Sequence, residues 1–505
     1  MSEQRQTIAK NASVMLVSQV VTWSLTLVFS IVLRRFLGPE GSGHIVIANS
    51  IWLIIGVFIG FGMDMFLTKE IARNPKRAAD LLGTSYAIRT GFYIVGIAIV
   101  LAYSQWIGYS TETMILIQVV GVAALFNQLA GASRAALQGF ETMEYISLGE
   151  ISSKVVNMLL GIGVLLMGWR ELAIAWVMVA AALVMFVLQT FFLIRRHRLR
   201  TQVDPAMMRP MLLSSLPYMA TVFGMIAYSE LSVLTISMQV SVMEVGWYGA
   251  AMQIFGTMLF GTVVFSTVTF PAMARSHIEN PARMPEVLRQ NLALILLLSV
   301  PIGFGLMSIA QPLMLLLFGP EFAPSGQILQ VLGLVLIFMY LNVLFGQYFN
   351  SIDRQHVWTA VVIISAVMIV PLNLLLVPWG SATFGLGALG GAVSLLMTQV
   401  GQFLAGWLLA PKGTLNLASI RQMVLVFLAG MLMALSVWPF RDLLLIVPIL
   451  VGALSYPLVI FLFRVISPEQ KALLREVLQS VRTKLQRKRA VPPVAASPEA
   501  PGKGL

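Results

Sequence analysis

Three ionisable side chains fall inside long apolar stretches of this sequence: Arg134, Lys154 and Glu230. A charge in the hydrocarbon core of a bilayer is expensive, so each is a functional hypothesis. Arg134 lies about one turn from the end of the fourth apolar segment, and Lys154 roughly two turns into the fifth. Adjacent antiparallel helices would bring both to similar depth, as a cationic patch suited to phosphate or pyrophosphate. The plainer alternatives are snorkelling of Arg134 to the headgroups and an i,i+4 ion pair between Lys154 and Glu150. Glu230 is about nine residues from the far end of the seventh segment, so about 13 Å deep and near the midplane. A carboxyl there is protonated, paired or open to a watery cavity, which suits a coupling proton or sodium ion. Its alternative is a buried, hydrogen-bonded helix contact. Asp64, beside Lys69 and Arg73, reads as an interfacial structural residue.

Softer polar groups recur at helical spacing. Gln19, Thr22, Thr26 and Ser30 share one face, as do Gln253, Thr257 and Gly261. Asn127, Gln138 and Asn157 lie in or at the ends of the fourth and fifth segments. Such faces line hydrophilic cavities or glue membrane helices together. Enzyme signatures are missing. The four His are scattered, and no H-E-x-x-H, P-loop, G-x-S-x-G or carboxylate cluster occurs. No metal or cofactor site is expected. The absence of Cys excludes disulfides and Cys-ligated metals.

The elements that must hold these residues are set by composition. The chain has 505 residues, 58% hydrophobic and 11% charged. A soluble domain is nearer a quarter charged, so a soluble enzyme is excluded. Spans of about 20 apolar residues fit fourteen transmembrane helices: 12–33, 45–67, 90–106, 113–137, 148–167, 172–194, 213–239, 247–270, 290–310, 326–349, 357–377, 387–409, 422–438 and 443–463. With the N-terminus inside, 27 of 33 Lys and Arg fall on the cytoplasmic side, Arg89 among them, and four outside: Arg34, Arg35, Arg170 and Arg441. That bias places both termini in the cytoplasm. It also accounts for the net charge of +12 without invoking nucleic acid. Five Trp (Trp106, Trp169, Trp247, Trp379, Trp438) fall at outer ends, as an aromatic belt would. The longest outer loop, 311–325, leaves no room for an external polymerase or ligase site.

A faint repeat runs through the chain. Lys69-Glu70-Ile71-Ala72-Arg73 is answered by Pro271-Ala272-Met273-Ala274-Arg275, and Gly43-His44-Ile45 by Gly246-Trp247-Tyr248. Asn157 and Asn373, each followed by a similar apolar triplet, make a third match. The expected plan is therefore two parallel six-helix lobes, a common transporter design. They would comprise 1–194 and 213–410, joined by a basic linker at 195–212. Two further helices occupy 411–463. The tail, 464–505, starts with a capping pattern at Ser467-Pro468-Glu469-Gln470. It reads as a basic amphipathic helix on the anionic inner leaflet, followed by a disordered end.

Several motifs resemble a known family. Leu33-Arg34-Arg35-Phe36-Leu37-Gly38-Pro39-Glu40-Gly41-Ser42-Gly43 looks like the R-x-L-G-P turn of polysaccharide exporters in the multidrug/oligosaccharidyl-lipid/polysaccharide superfamily. Lys69-Glu70-Ile71-Ala72-Arg73 resembles that family's R-E-I-A-R close of helix 2, and Gln138-Gly139 its turn after helix 4. Tyr228-Ser229-Glu230 and Val245-Gly246-Trp247-Tyr248-Gly249-Ala250-Ala251 resemble its helix 7 acidic position and helix 8 opening. The likeness runs through helix 12 and is nearest to Wzx-like flippases. Trp247 and Gly249 depart from the familiar helix 8 opening, and Glu stands at 230 where Asp is usual. The G-F-x-R-D element of lipid II flippases of the MurJ type is absent.

The resemblance implies an all-α bacterial inner-membrane protein whose lobes form a MATE/MurJ-like V and alternate in access. Its substrate would be a polyprenyl-diphosphate-linked oligosaccharide for surface polysaccharide. Arg134 and Lys154 would hold the diphosphate, with Gln19, Asn127, Asn157 and Gln253 lining the cavity and Glu230 coupling or gating. Helices 13 and 14 would flank a lateral lipid groove. Membrane lipids and glycan-assembly proteins such as a polymerase would be its partners. The alternatives are a cation-coupled multidrug exporter, a lipid II flippase and a non-transporting scaffold for glycan assembly.

Overall fold

The computed structural model describes residues 2–414 and 417–463. The expected amphipathic tail helix at 467–489 lies outside the described residues. Within them the chain is helical, with no strand. A bilayer offers the backbone no partner, and helices satisfy their own amides and carbonyls. The helices are α1 (Ser2–Gly60), α2 (Met63–Arg73), α3 (Ala78–Ile107), α4 (Thr111–Gly139), α5 (Met143–Leu166), α6 (Glu171–His197), α7 (Pro205–Ser237), α8 (Val242–Met258) and α9 (Phe260–Glu279). They continue with α10 (Met284–Phe318), α11 (Ala323–Ser351), α12 (Gln355–Phe384), α13 (Gly387–Leu409), α14 (Leu417–Val437) and α15 (Ile446–Leu462).

Each of the fourteen predicted segments falls on helix, but helix and span are not one to one. Among the described residues, ten helices are individually long and apolar enough to cross a membrane, or eleven with the bent α7 taken as one span. The first, Val17–Arg73, has 57 residues. At 1.5 Å per residue that is roughly 85 Å, nearly three times a ~30 Å core, so it makes two passes. The break is Gly38, at φ 68° and ψ −176°, a conformation open to glycine and followed by Pro39. A second break, Phe61–Gly62, has positive φ at both residues and separates α1 from α2. The eighth segment is split at Leu259 into α8 and α9.

The expected linker at 195–212 is mostly helical: Arg195, Arg196 and His197 end α6, and α7 begins at Pro205. Asp204 caps that helix, its carboxylate accepting from the Ala206 amide at 3.0 Å, with Pro205 at the first helical position. Residues 198–204 are the actual connection.

The two halves pack alike. In the first, α4 lies on α3 and α6, α5 on α6, and α1 on α4 and α5. In the second, α11 lies on α10 and α13, α12 on α13 and α7, and α8 on α11. These are corresponding pairs in the two halves of the chain. α14 and α15 pack on α10 and on each other. The lobes meet where α1 lies against α7 and α8, and α2 against α7.

Candidate functional site

A cavity of about 450 Å³ lies between the first lobe and α7. The 49–60 stretch of α1, Asp64 of α2 and the 120–134 stretch of α4 form one side; Val222 and Ile226 of α7 form the other. Its polar lining is Asn49, Asp64, Asn127, Gln128 and Arg134. Gln128 can settle there because α1 offers glycine: a Cβ on Gly56 or Gly60 would come within 2.8 Å of its amide.

Behind this wall is Arg89 of α3, completely buried. Its Nη2 donates to Asp64 Oδ1 at 2.5 Å. Nη1 donates to the Gln128 carbonyl at 2.5 Å and lies 3.3 Å from Gln128 Oε1; Nε donates to Ser85 Oγ at 3.1 Å. Gln128 Nε2 in turn donates to the Gly56 carbonyl at 3.0 Å. A buried charge survives when paired and fully hydrogen-bonded, and every nitrogen of this guanidinium has a partner. The sequence reading put Arg89 in a cytoplasmic loop and gave Asp64 to Lys69 and Arg73. Both are corrected: α3 starts eleven residues before Arg89, and Asp64 turns to it.

Of the seven residues expected at the site, the cavity takes two, Asn127 and Arg134. Arg134 is half exposed and forms a salt bridge of 3.6 Å with Glu150 of α5. Glu150 therefore turns towards α4 rather than along its own helix, and the expected i,i+4 pairing with Lys154 gives way to this cross-helix pair. Lys154 is half-buried on α5, with no salt bridge or hydrogen bond among the described residues. Asn157, one turn on, is half-buried with Oδ1 enclosed and unpartnered. Gln19 is exposed, and the hydroxyls beside it turn to helix carbonyls: Thr22 to Gln19 at 3.1 Å and Thr26 to Thr22 at 2.8 Å. Gln253 is half-buried on α8, and Thr257 likewise donates to its own helix. Lys154, Asn157, Gln19 and Gln253 lie outside the cavity lining. Glu230 sits one turn past Ile226, beyond a 54° bend between Pro205–Gly224 and Tyr228–Ser237, and accepts from Ser229 Oγ at 3.1 Å.

Residues 32–327 match a family of proteins described as polysaccharide biosynthesis proteins. The chain belongs to that family. No curated protein matches the sequence. Among solved structures, the fold is similar to a lipid II flippase MurJ in an inward closed conformation, with TM-score 0.72 and 13% identity over 90% of this chain and 98% of that one. It is also similar to a multidrug resistance MATE transporter of the MOP superfamily in an inward-facing conformation, with TM-score 0.65 and 14% identity over 78% and 97%. An outward-facing MATE structure gives TM-score 0.54 and 14% identity over 80% and 95%. This polysaccharide biosynthesis protein is thus a multi-pass membrane protein with the fold of flippases and transporters of that superfamily.

The lobes of this family member are locked at the Gly38 end. Arg34 Nη2 donates to the Gly249 carbonyl of α8 at 3.1 Å. Arg35 donates from Nε to the Leu317 carbonyl at 2.7 Å and from Nη2 to the Leu316 carbonyl. These carbonyls close α10, where the last turn lacks intrahelical partners and carries negative partial charge. The backbones touch: a Cβ on Gly246 would overlap the Pro39 carbonyl, and one on Gly43 the Val242 carbonyl. The sequence reading left both arginines in an outer loop. The R-x-L-G-P motif instead closes the two lobes upon each other.

Proposed function

We propose that the chain moves a polyprenyl-diphosphate-linked oligosaccharide across the bacterial inner membrane, by alternating access, for surface polysaccharide synthesis. The observation that carries this reading is a cavity between the first half and α7, mostly apolar but carrying Asn49, Asp64, Asn127, Gln128 and Arg134, in a member of a polysaccharide biosynthesis family. The positive-inside bias sets the Gly38 end outside, so the described state is closed outward. An arginine at the cavity suits a diphosphate, which Arg forks bind in bidentate fashion. Lys154 on the neighbouring helix, which forms no salt bridge among the described residues and feels the Glu150 carboxylate only at longer range, supplies the second cation. An apolar groove of about 410 Å³ lined by Ile55, Phe58, Phe61, Phe92, Val95 and Ile99 lies beside the same stretch of α1. It matches the chemistry of a polyprenyl tail kept in lipid while the head crosses. Glu230, next to the bend of α7, is the coupling or gating carboxyl, with a proton or sodium ion as its cation.

The test is complementation of a deletion strain. Lys154→Ala should abolish surface glycan at normal protein level, with lipid-linked glycan accumulating in the inner leaflet. Unchanged surface glycan removes Lys154 from the site. Unchanged glycan in the deletion strain itself overturns the function.

A further inference from the structure

We infer that the cavity beside α4 is a recognition subsite for the hydroxyl and amide groups of an uncharged sugar, contacted by Asp64 Oδ2, Asn49 Oδ1 and the Asn127 amide. The inference rests on the flippase reading and assigns this cavity to one part of the substrate.

Each group has unused hydrogen-bonding capacity facing the cavity. Asp64 gives Oδ1 to Arg89, while Oδ2 has no hydrogen bond among the described residues and the side chain is 43% exposed. Asn49 commits Nδ2 to the Ile45 carbonyl at 3.0 Å and keeps its oxygen. Asn127 is exposed, with no hydrogen bond among the described residues. Gln128 differs: both ends of its amide are committed, so it serves the wall.

Charge selects the ligand class. The Arg89 guanidinium neutralises Asp64 from behind, so the carboxylate does not draw a free cation. It stays a strong acceptor, fixed in direction, and hydrogen bonds to an ionised oxygen are the strong ones. A pinned carboxylate with two open amide groups fits hydroxyl and N-acetyl donors on a neutral glycan. The volume lies within the ~300–1,000 Å³ of small-molecule sites.

Spacing then orders the substrate. Asn127 and Arg134 are seven residues apart on α4, so they share a face about 10.5 Å apart. A diphosphate at Arg134 would set the first sugars beside Asn127 and Asp64.

The test measures binding to the full chain in lipid nanodiscs with two probes. One is the polyprenyl-diphosphate glycan fraction extracted from cells lacking this chain; the other is undecaprenyl diphosphate without sugar. The glycosylated probe should bind about ten-fold tighter or more, as one or two added hydrogen bonds to charged or amide groups would give. Asn127→Leu, which breaks no contact within the protein, should remove that preference while changing affinity for undecaprenyl diphosphate by less than about two-fold. Asp64→Leu with Arg89→Met, which leaves no unpaired buried charge, should do the same. Arg134→Gln should weaken both probes alike. Equal binding of the two probes by the native chain, or a preference surviving both the Asn127 and the double variant, overturns the subsite and leaves the flippase reading standing. Binding of neither probe overturns the flippase reading and the subsite with it.

Discussion

Arg89 Nη2 lies 2.5 Å from Asp64 Oδ1, tying α3 to α2 just past the Phe61–Gly62 break. The pair is lopsided, because the guanidinium is wholly enclosed while the carboxylate is 43% exposed. Breaking a pair is severe when the charge left behind cannot reach water. Asp64→Ala should therefore destabilise the protein by about 3–5 kcal/mol. Arg89→Met keeps much of the buried volume and leaves a carboxylate that water can reach, so about 1–2 kcal/mol is expected. Thermal unfolding of the purified chain in detergent ranks the two. Equal losses would mean that the pair matters through packing alone.

The arginines at the Gly38 end should control which state is populated. Ser42 is buried there, and the chain has no cysteine, so Ser42→Cys is a clean reporter. In the native background its maleimide labelling should be slow. Arg35→Ala removes two hydrogen bonds to the α10 carbonyls, each charge-assisted and worth about 1.5–3 kcal/mol at most. Labelling should rise about ten-fold or more, as a shifted two-state equilibrium would give. An unchanged rate would show that Arg35 does not hold the seal.

Close backbone approach makes an independent test of the same closure. Gly246→Ala drives a methyl group into the Pro39 carbonyl, and neither backbone can yield without parting the lobes. Labelling at Ser42→Cys should again rise, by a similar factor. Gly163→Ala, where a Cβ meets open space, is the control and should leave labelling unchanged. Equal responses would trace the effect to helix propensity rather than to the seal.

Much of this architecture is legible from local pattern, and the gaps have distinct physical causes. Fourteen apolar runs all fall on helix, whereas Asp204-Pro205, which starts α7, falls inside the expected linker at 195–212. Arg89 is hard to place from sequence because a charge normally marks the edge of an apolar run. Yet Leu82, Ser85, Arg89, Tyr93 and Gly96 recur at spacings of three and four, and all are buried. The role of Arg34 is hidden for a different reason: its partner, the Gly249 carbonyl, is 215 residues away. A backbone acceptor at that distance leaves no trace in residue type. Thr22, Thr26 and Thr257 show the converse, since these hydroxyls on the polar faces of α1 and α8 bond to carbonyls of their own helices.

Glu150 holds Arg134 at 3.6 Å, and any diphosphate at Arg134 must compete with that carboxylate. Both side chains are partly exposed, so the ion pair is worth only about 0.2–1 kcal/mol. Glu150→Gln removes the competitor and lifts the local negative charge, while a neutral amide of the same shape preserves packing. Affinity for undecaprenyl diphosphate should then rise about two- to five-fold, and the gain should shrink as salt is raised, because solvent-exposed charges are screened. Lys154 is also relieved of its carboxylate neighbour four residues back, which acts in the same direction. Arg134→Gln in the Glu150→Gln background should cancel most of the gain. Binding titrations across ionic strength check this, and a loss of affinity in Glu150→Gln would mean that the carboxylate orients Arg134 for the phosphate rather than competing with it.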